Sequence, residues 1–138
     1  MKIIVLIITA LSLVLFADVS RSNDMVSDSF TKLQWQDNTT VGTKNWESAL
    51  TYCENLSLNT HNDWRLPNLN ELTSIVDRSK DSPAIVDIFV NTQDSTYWSS
   101  TTYEHSKTYA WFVHFGTGSV ENNKLKTTAK YVRCVRNM

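Results

Sequence analysis

The sequence predicts an α+β domain, two helices packed on antiparallel strands. Three observations carry this prediction. Apolar residues between positions 45 and 76 recur at steps of three and four, those beyond position 96 alternate at steps of two, and the two cysteines fall one in each region. Helices followed by a run of strands make an α+β layout.

At the N-terminus, Lys2 precedes an apolar run over residues 3–15, and Leu15 with Ala17 offers a cleavage site before Asp18. That is a signal-peptide pattern, shorter than the roughly 18 apolar residues of a membrane-spanning helix. The expectation is export to a secreted or periplasmic location, loss of residues 1–17 and no membrane span afterwards; a retained anchor is the alternative. Residues 18–29 are polar and rich in Ser and Asp, so they read as a flexible lead-in to a domain at 30–138.

Within the domain, Phe30, Lys32, Leu33 and Trp35 mark a short strand, and Asp37, Asn38, Thr39 and Thr40 a turn. Asn45 can cap a first helix whose stripe is Trp46, Ala49, Leu50, Cys53 and Leu56, which turns Cys53 to the core. Asn68, with Glu71 three residues on, forms a capping-box variant ahead of a second stripe, Leu69, Leu72, Ile75 and Val76. Pro67 fixes the entry, and the bend over residues 62–66 brings Trp64 and Arg65 near both helix ends. The patch Ile85, Val86, Ile88 and Phe89 fits either a short helix or a strand. Strands then follow at 97–101, 108–115 and 131–135, with a turn at 116–119. In the longest, Tyr109, Trp111, Val113 and Phe115 alternate with Ala110, Phe112 and His114; two apolar faces suggest a central strand.

Five Trp, five Tyr and five Phe can fill the core of a small domain, or line a sugar-binding face. Two cysteines in an exported chain pair, which predicts a Cys53–Cys134 disulfide. A catalytic or metal-binding role for them has no CxxC partner or neighbouring His in its favour. Charge is uneven: residues 18–106 carry 6 Lys or Arg against 13 Asp or Glu, and residues 107–138 carry 6 against 1. The basic C-terminal quarter is either a polyanion-binding face or one interleaved on folding with the acidic remainder.

Six landmarks in order carry a resemblance to a known family. They are Leu33-Gln34-Trp35-Gln36; Trp46 with Ala49 and Cys53; Asp63-Trp64-Arg65-Leu66-Pro67-Asn68 followed by Glu71-Leu72; Tyr97-Trp98-Ser99-Ser100-Thr101; Ala110-Trp111 with Val113, Phe115 and Gly118; and Val132-Arg133-Cys134-Val135-Arg136. Together they resemble the Lcl C-terminal domain family, named for the C-terminal domain of a bacterial collagen-like adhesin. The resemblance implies a fold like those of C-type lectins and formylglycine-generating enzymes, with Cys53 and Cys134 at the positions of a recurring helix-to-strand brace. It also implies extracellular or periplasmic placement in bacteria and, for the named adhesin, trimeric binding of sulfated polysaccharides. The collagen-like Gly-x-y repeat is absent here. So are the Glu-Pro-Asn, Gln-Pro-Asp and Trp-Asn-Asp motifs of calcium-dependent sugar binding, and the disulfide leaves no thiol pair for oxidase chemistry.

No enzyme motif stands out. His61, His105 and His114 are scattered, without HExxH spacing or a GxSxG elbow. Ser99, Ser100, Thr101 and Thr102 have no base nearby in sequence and suit backbone hydrogen bonding. Asp77, Asp81 and Asp87 lack EF-hand spacing and read as a solvated acidic loop; Arg65 reads as a structural partner of Asp63 or Glu71. The ligand-binding candidates are Lys124, Lys126, Lys130, Arg133 and Arg136. The expected function is a non-enzymatic exported binding module for a polyanionic or surface glycan, or for a partner protein. No cofactor, metal or nucleic acid is expected. An envelope structural protein, or an enzyme using a cleft of the same fold, is the alternative.

Overall fold

The segment expected as a flexible lead-in is folded. The computed structural model describes residues 18–39 and 42–138, so the expected signal peptide lies outside the described residues. Val19–Ser22 (β1) and Met25–Asp28 (β2) form an antiparallel hairpin whose turn residues, Asn23 and Asp24, have φ of 50° and 64°. Asn and Asp tolerate the left-handed region such a two-residue turn requires. Val26 pairs with Trp35, and both are 1% exposed. The domain therefore begins ahead of Phe30, which is itself 81% exposed.

Leu33–Gln36 (β3) continues this sheet, and Val135–Asn137 (β7) closes it in the order β1-β2-β3-β7, antiparallel throughout. A second antiparallel sheet runs Thr96–Thr102 (β4), Ala110–His114 (β5) and Ser119–Glu121 (β6), with β5 central as the alternation suggested. The final strand starts later than expected because residues 131–134 cross between the sheets. Tyr131 bridges Tyr97 of β4, and the Gln36 amide of β3 donates to the Cys134 carbonyl at 2.9 Å.

Two helices pack against the strands, which gives the α+β class. Trp46–Glu54 (α1) is capped by Asn45, whose side chain accepts from the Ser48 amide at 2.9 Å. Leu69–Ser74 (α2) carries both halves of the Asn68–Glu71 capping box. The patch at residues 85–89 is neither helix nor strand: Ile85 makes one bridge to Val76, and Phe89 packs edge-on against Trp35. In the acidic loop, Asp77 accepts from Ser79 and Asp87 pairs with Lys80.

The two faces of β5 feed separate apolar clusters. Ala110 and Phe112 join Ala49, Cys53, Trp64, Leu66, Trp98, Val132 and Cys134, while Val113 joins Val26, Trp35, Leu72, Ile75, Tyr97 and Val135. Cys53 and Cys134 are bonded inside the first cluster and tie α1 to the residue preceding β7. Among the described residues no helix is long and apolar enough to cross a membrane.

Candidate functional site

The five expected basic residues do not form one stripe. Arg133 is 3% exposed: its Nη1 donates to Asp37 Oδ1 at 3.0 Å and to the Gln36 carbonyl at 2.8 Å. Its Nη2 donates to the Asn91 carbonyl and Thr92 Oγ1, and the guanidinium lies 4.7 Å from the Phe89 ring centroid. Arg136 donates to both Asp63 oxygens and to Gln34. Burial among acceptors corrects the assignment of Arg133 from ligand contact to structural cation, and Arg136 is already engaged.

Lys126 and Lys130 are brought beside the start of α1, and the charge of Lys124 acts on Lys130. The backbone before α1 runs antiparallel to the segment that carries them. The Lys44 amide donates to the Lys130 carbonyl at 2.8 Å, the reverse bond is 2.9 Å, and the Trp46 amide reaches the Lys126 carbonyl at 2.9 Å. The Lys126 ammonium then sits 3.8 Å from the Trp46 ring centroid and donates to Thr102 Oγ1 at 2.8 Å. Trp46 is itself held by its indole N–H on the Ser99 carbonyl. Beside this pair a cleft of about 120 Å³ opens between Asn45, Glu47, Lys126 and Thr127. Lys44, 5.0 Å from the Tyr52 ring centroid, extends the group.

Among the described residues none of these lysines is in an ion pair, whereas Arg21, Arg65, Lys80, Arg133 and Arg136 all are. Unpaired ammonium groups beside an aromatic ring can exchange water for sulfate, phosphate or carboxylate oxygens at modest desolvation cost. Lys44 and Trp46 were not legible as site residues. They lie some eighty positions before Lys126, and Trp46 falls on a helical stripe that reads as core.

Lys130 is the buried member, 3% exposed, with its ammonium 3.7 Å from the Phe112 ring centroid and no carboxylate partner. Burial, reinforced by the charge of Lys124 and opposed by Glu121, lowers its pKa from 10.5 to about 8. The unfolded chain therefore holds this proton between about pH 8 and 10.5 while the folded protein has released it, so stability rises with pH across that window. Lys130→Met is expected to stabilise the domain at pH 7 by roughly 1–2 kcal/mol, burial of the charge outweighing the lost cation–π attraction. The advantage shrinks above pH 8; urea denaturation of both proteins at a series of pH values measures it.

The Lcl C-terminal domain model matches residues 24–136 of the sequence. The chain belongs to that family. No curated protein matches it.

Elsewhere in this Lcl C-terminal domain, polar groups serve the fold. An open cleft of about 760 Å³ is bordered by Lys32, Arg65, Asn70, Glu71, Ser74 and Asn137. Its central charges satisfy each other: Arg65 grips Glu71 through bonds of 2.6 and 2.7 Å. Burial would raise the Glu71 pKa, but the bonds from Arg65 and the Asn68 amide hold it below its ordinary value. Of the two carboxylates expected for Arg65, Glu71 is the one it takes. His61 lies in a local bridge to Leu58, His105 is exposed beside Glu104, and His114 accepts the Gly116 amide. Ser99 Oγ donates to the Trp111 carbonyl, and Thr101 Oγ1 accepts the Leu69 amide. No group of three or more potential metal-binding His, Cys, Asp or Glu side chains occurs among the described residues.

Proposed function

We propose that this domain is a non-enzymatic, exported binding module of C-type-lectin-like fold that takes an anionic surface glycan on the face formed by Lys44, Trp46, Lys124 and Lys126. The observation that carries the reading is the Lys126 ammonium on the Trp46 ring at the edge of an open cleft, with the Lys44 and Lys130 backbones paired beside it and none of these lysines in an ion pair among the described residues. Membership of a family named for an adhesin's C-terminal domain supports a binding role. The disulfide and the apolar N-terminal run support export, because such bonds persist in oxidising compartments.

Heparin retention tests it. The oxidised protein is expected to bind heparin at low salt and to elute as salt rises. Lys124→Glu with Lys126→Glu is expected to weaken that binding roughly tenfold or more, as two attractive contacts become repulsive. Passage of the wild type through the column at low salt, or an unchanged elution of the double variant, contradicts the reading.

A further inference from the structure

A second and larger cleft adjoins the one beside Trp46. It measures about 620 Å³ and follows the outer side of α1, bordered by Lys44, Glu47, Ser48, Thr51, Tyr52 and Asn55. Ser48, Thr51, Tyr52 and Asn55 stand three or four positions apart, so the winding of the helix brings them to one face. The smaller cleft, about 120 Å³, is bordered by Asn45, Glu47, Lys126 and Thr127. Glu47 is common to both clefts, and it is the only carboxylate that borders either.

Each cleft has one lysine on its border. Lys126 borders the smaller and lies over the Trp46 ring; Lys44 borders the larger and stands 5.0 Å from the Tyr52 ring centroid. Glu47 is exposed and, among the described residues, its carboxylate is in no ion pair with either lysine. Its place in the first turn of α1 suits the positive end of the helix dipole, which favours a carboxylate there without tying it to another side chain. The outcome is two cations with a fixed, solvated anion where their clefts meet.

We propose that Glu47 sets the charge spacing of the ligand: the site takes an anionic polymer whose negative groups fall on alternate residues, and discriminates against one charged on every residue. The inference rests on the anionic reading of the lysine face and refines it. Negative groups seat at Lys126 and Lys44, and the unit between them crosses Glu47. A neutral unit presents a hydroxyl or amide N–H to that carboxylate, a charge-assisted hydrogen bond. A sulfated unit meets like charge there instead, and repulsion of the wrong partner supplies specificity as attraction to the right one does. Lysines by themselves would favour the most densely charged polymer, so the preference turns on Glu47.

Two polymers separate the cases: heparin, sulfated along its whole length, and hyaluronan, whose single carboxylate per disaccharide leaves alternate units neutral. Binding of the oxidised protein to each, immobilised, is measured by interferometry at one low salt concentration. The wild type is expected to bind both. Glu47→Gln is expected to tighten heparin binding roughly threefold or more and to leave hyaluronan binding within about twofold of the wild type. Glu54→Gln removes the same charge from the other end of α1, outside both clefts, and is expected to alter neither. Circular dichroism checks that both variants are folded, as substitution of exposed residues predicts. The proposal is overturned if Glu47→Gln strengthens both polymers alike or neither, if Glu54→Gln reproduces its effect, or if the wild type binds heparin and not hyaluronan. A wild type that binds neither polymer, or an unchanged Lys124→Glu with Lys126→Glu variant, contradicts the anionic reading itself, so the two failures are distinct.

Discussion

Replacing both cysteines, Cys53→Ala with Cys134→Ala, is expected to lower the free energy of unfolding by about 3–4 kcal/mol. The bond joins residues 81 positions apart, and closing a loop of that length removes roughly 4.5 kcal/mol of chain entropy from the unfolded state, before residual structure reduces it. Its position adds to the effect. Cys53 and Cys134 are both 0% exposed, within the cluster that includes Trp64, Trp98 and Phe112. Cys134 lies where the chain passes from the second sheet to the first, so the bond holds α1, the crossing segment and β7 together. A loss of this size is a large fraction of the 5–15 kcal/mol typical of a whole domain. Guanidinium denaturation of the double variant, and of the wild type with dithiothreitol, measures it. The two are expected to agree within about 1 kcal/mol, and a loss below that figure would contradict the loop-closure account.

The elements legible in the sequence are those whose signals are local. Asn45, Asn68 and Glu71 announce their helices through bonds to residues three positions away, and the alternation over 109–115 marks β5 within a single strand. The β1–β2 hairpin was hidden by composition: an Asn23-Asp24 turn and one buried side chain in β2, Val26, carry little apolar signal. The late start of β7 depends on Tyr131 pairing with one sheet and Cys134 with the other, a choice only the assembled sheets impose. The basic residues separate on the same principle. Arg133 reads as a surface cation until Asp37, 96 positions away, is brought beside it, and Lys126 shows no aromatic neighbour until Trp46 arrives. Trp111 is indistinguishable from the core tryptophans by pattern, because its place outside both apolar clusters is set only by the assembled sheet.

Asp37→Asn is expected to cost about 3–5 kcal/mol, because it removes the charge opposite a buried guanidinium. Asp37 looked like a turn residue, yet it is 1% exposed and holds four elements together. Its carboxylate accepts from Arg21 Nε at 2.8 Å, from Arg133 Nη1 at 3.0 Å, and from the Val90 and Asn91 amides at 3.1 Å. It thereby anchors the N-terminal hairpin, the loop after Phe89 and the segment before Cys134 at one point. Burial by itself would raise its pKa, but the bonds from Arg21, the Val90 amide and Arg133, with the Arg133 charge, bring it below its ordinary value of 3.8. A carboxylate whose folded pKa is depressed contributes its stability above the unfolded value and loses it as pH falls through the folded one. The gap between wild type and Asp37→Asn is therefore expected to stay constant from neutral pH down to about 5. It is expected to narrow below about pH 4, as the wild-type carboxyl takes up its proton. Removing both charges, Asp37→Asn with Arg133→Met, is expected to recover part of the loss, since no unpaired guanidinium then remains in the core. Recovery stays incomplete because Arg21 and the loop amides still lack their charged acceptor. Denaturation of the three variants from pH 3 to 7 measures these differences. A double variant less stable than Asp37→Asn alone would mean that the stacking of Arg133 on Phe89 and its bonds to Asn91 and Thr92 outweigh its lost ion pair.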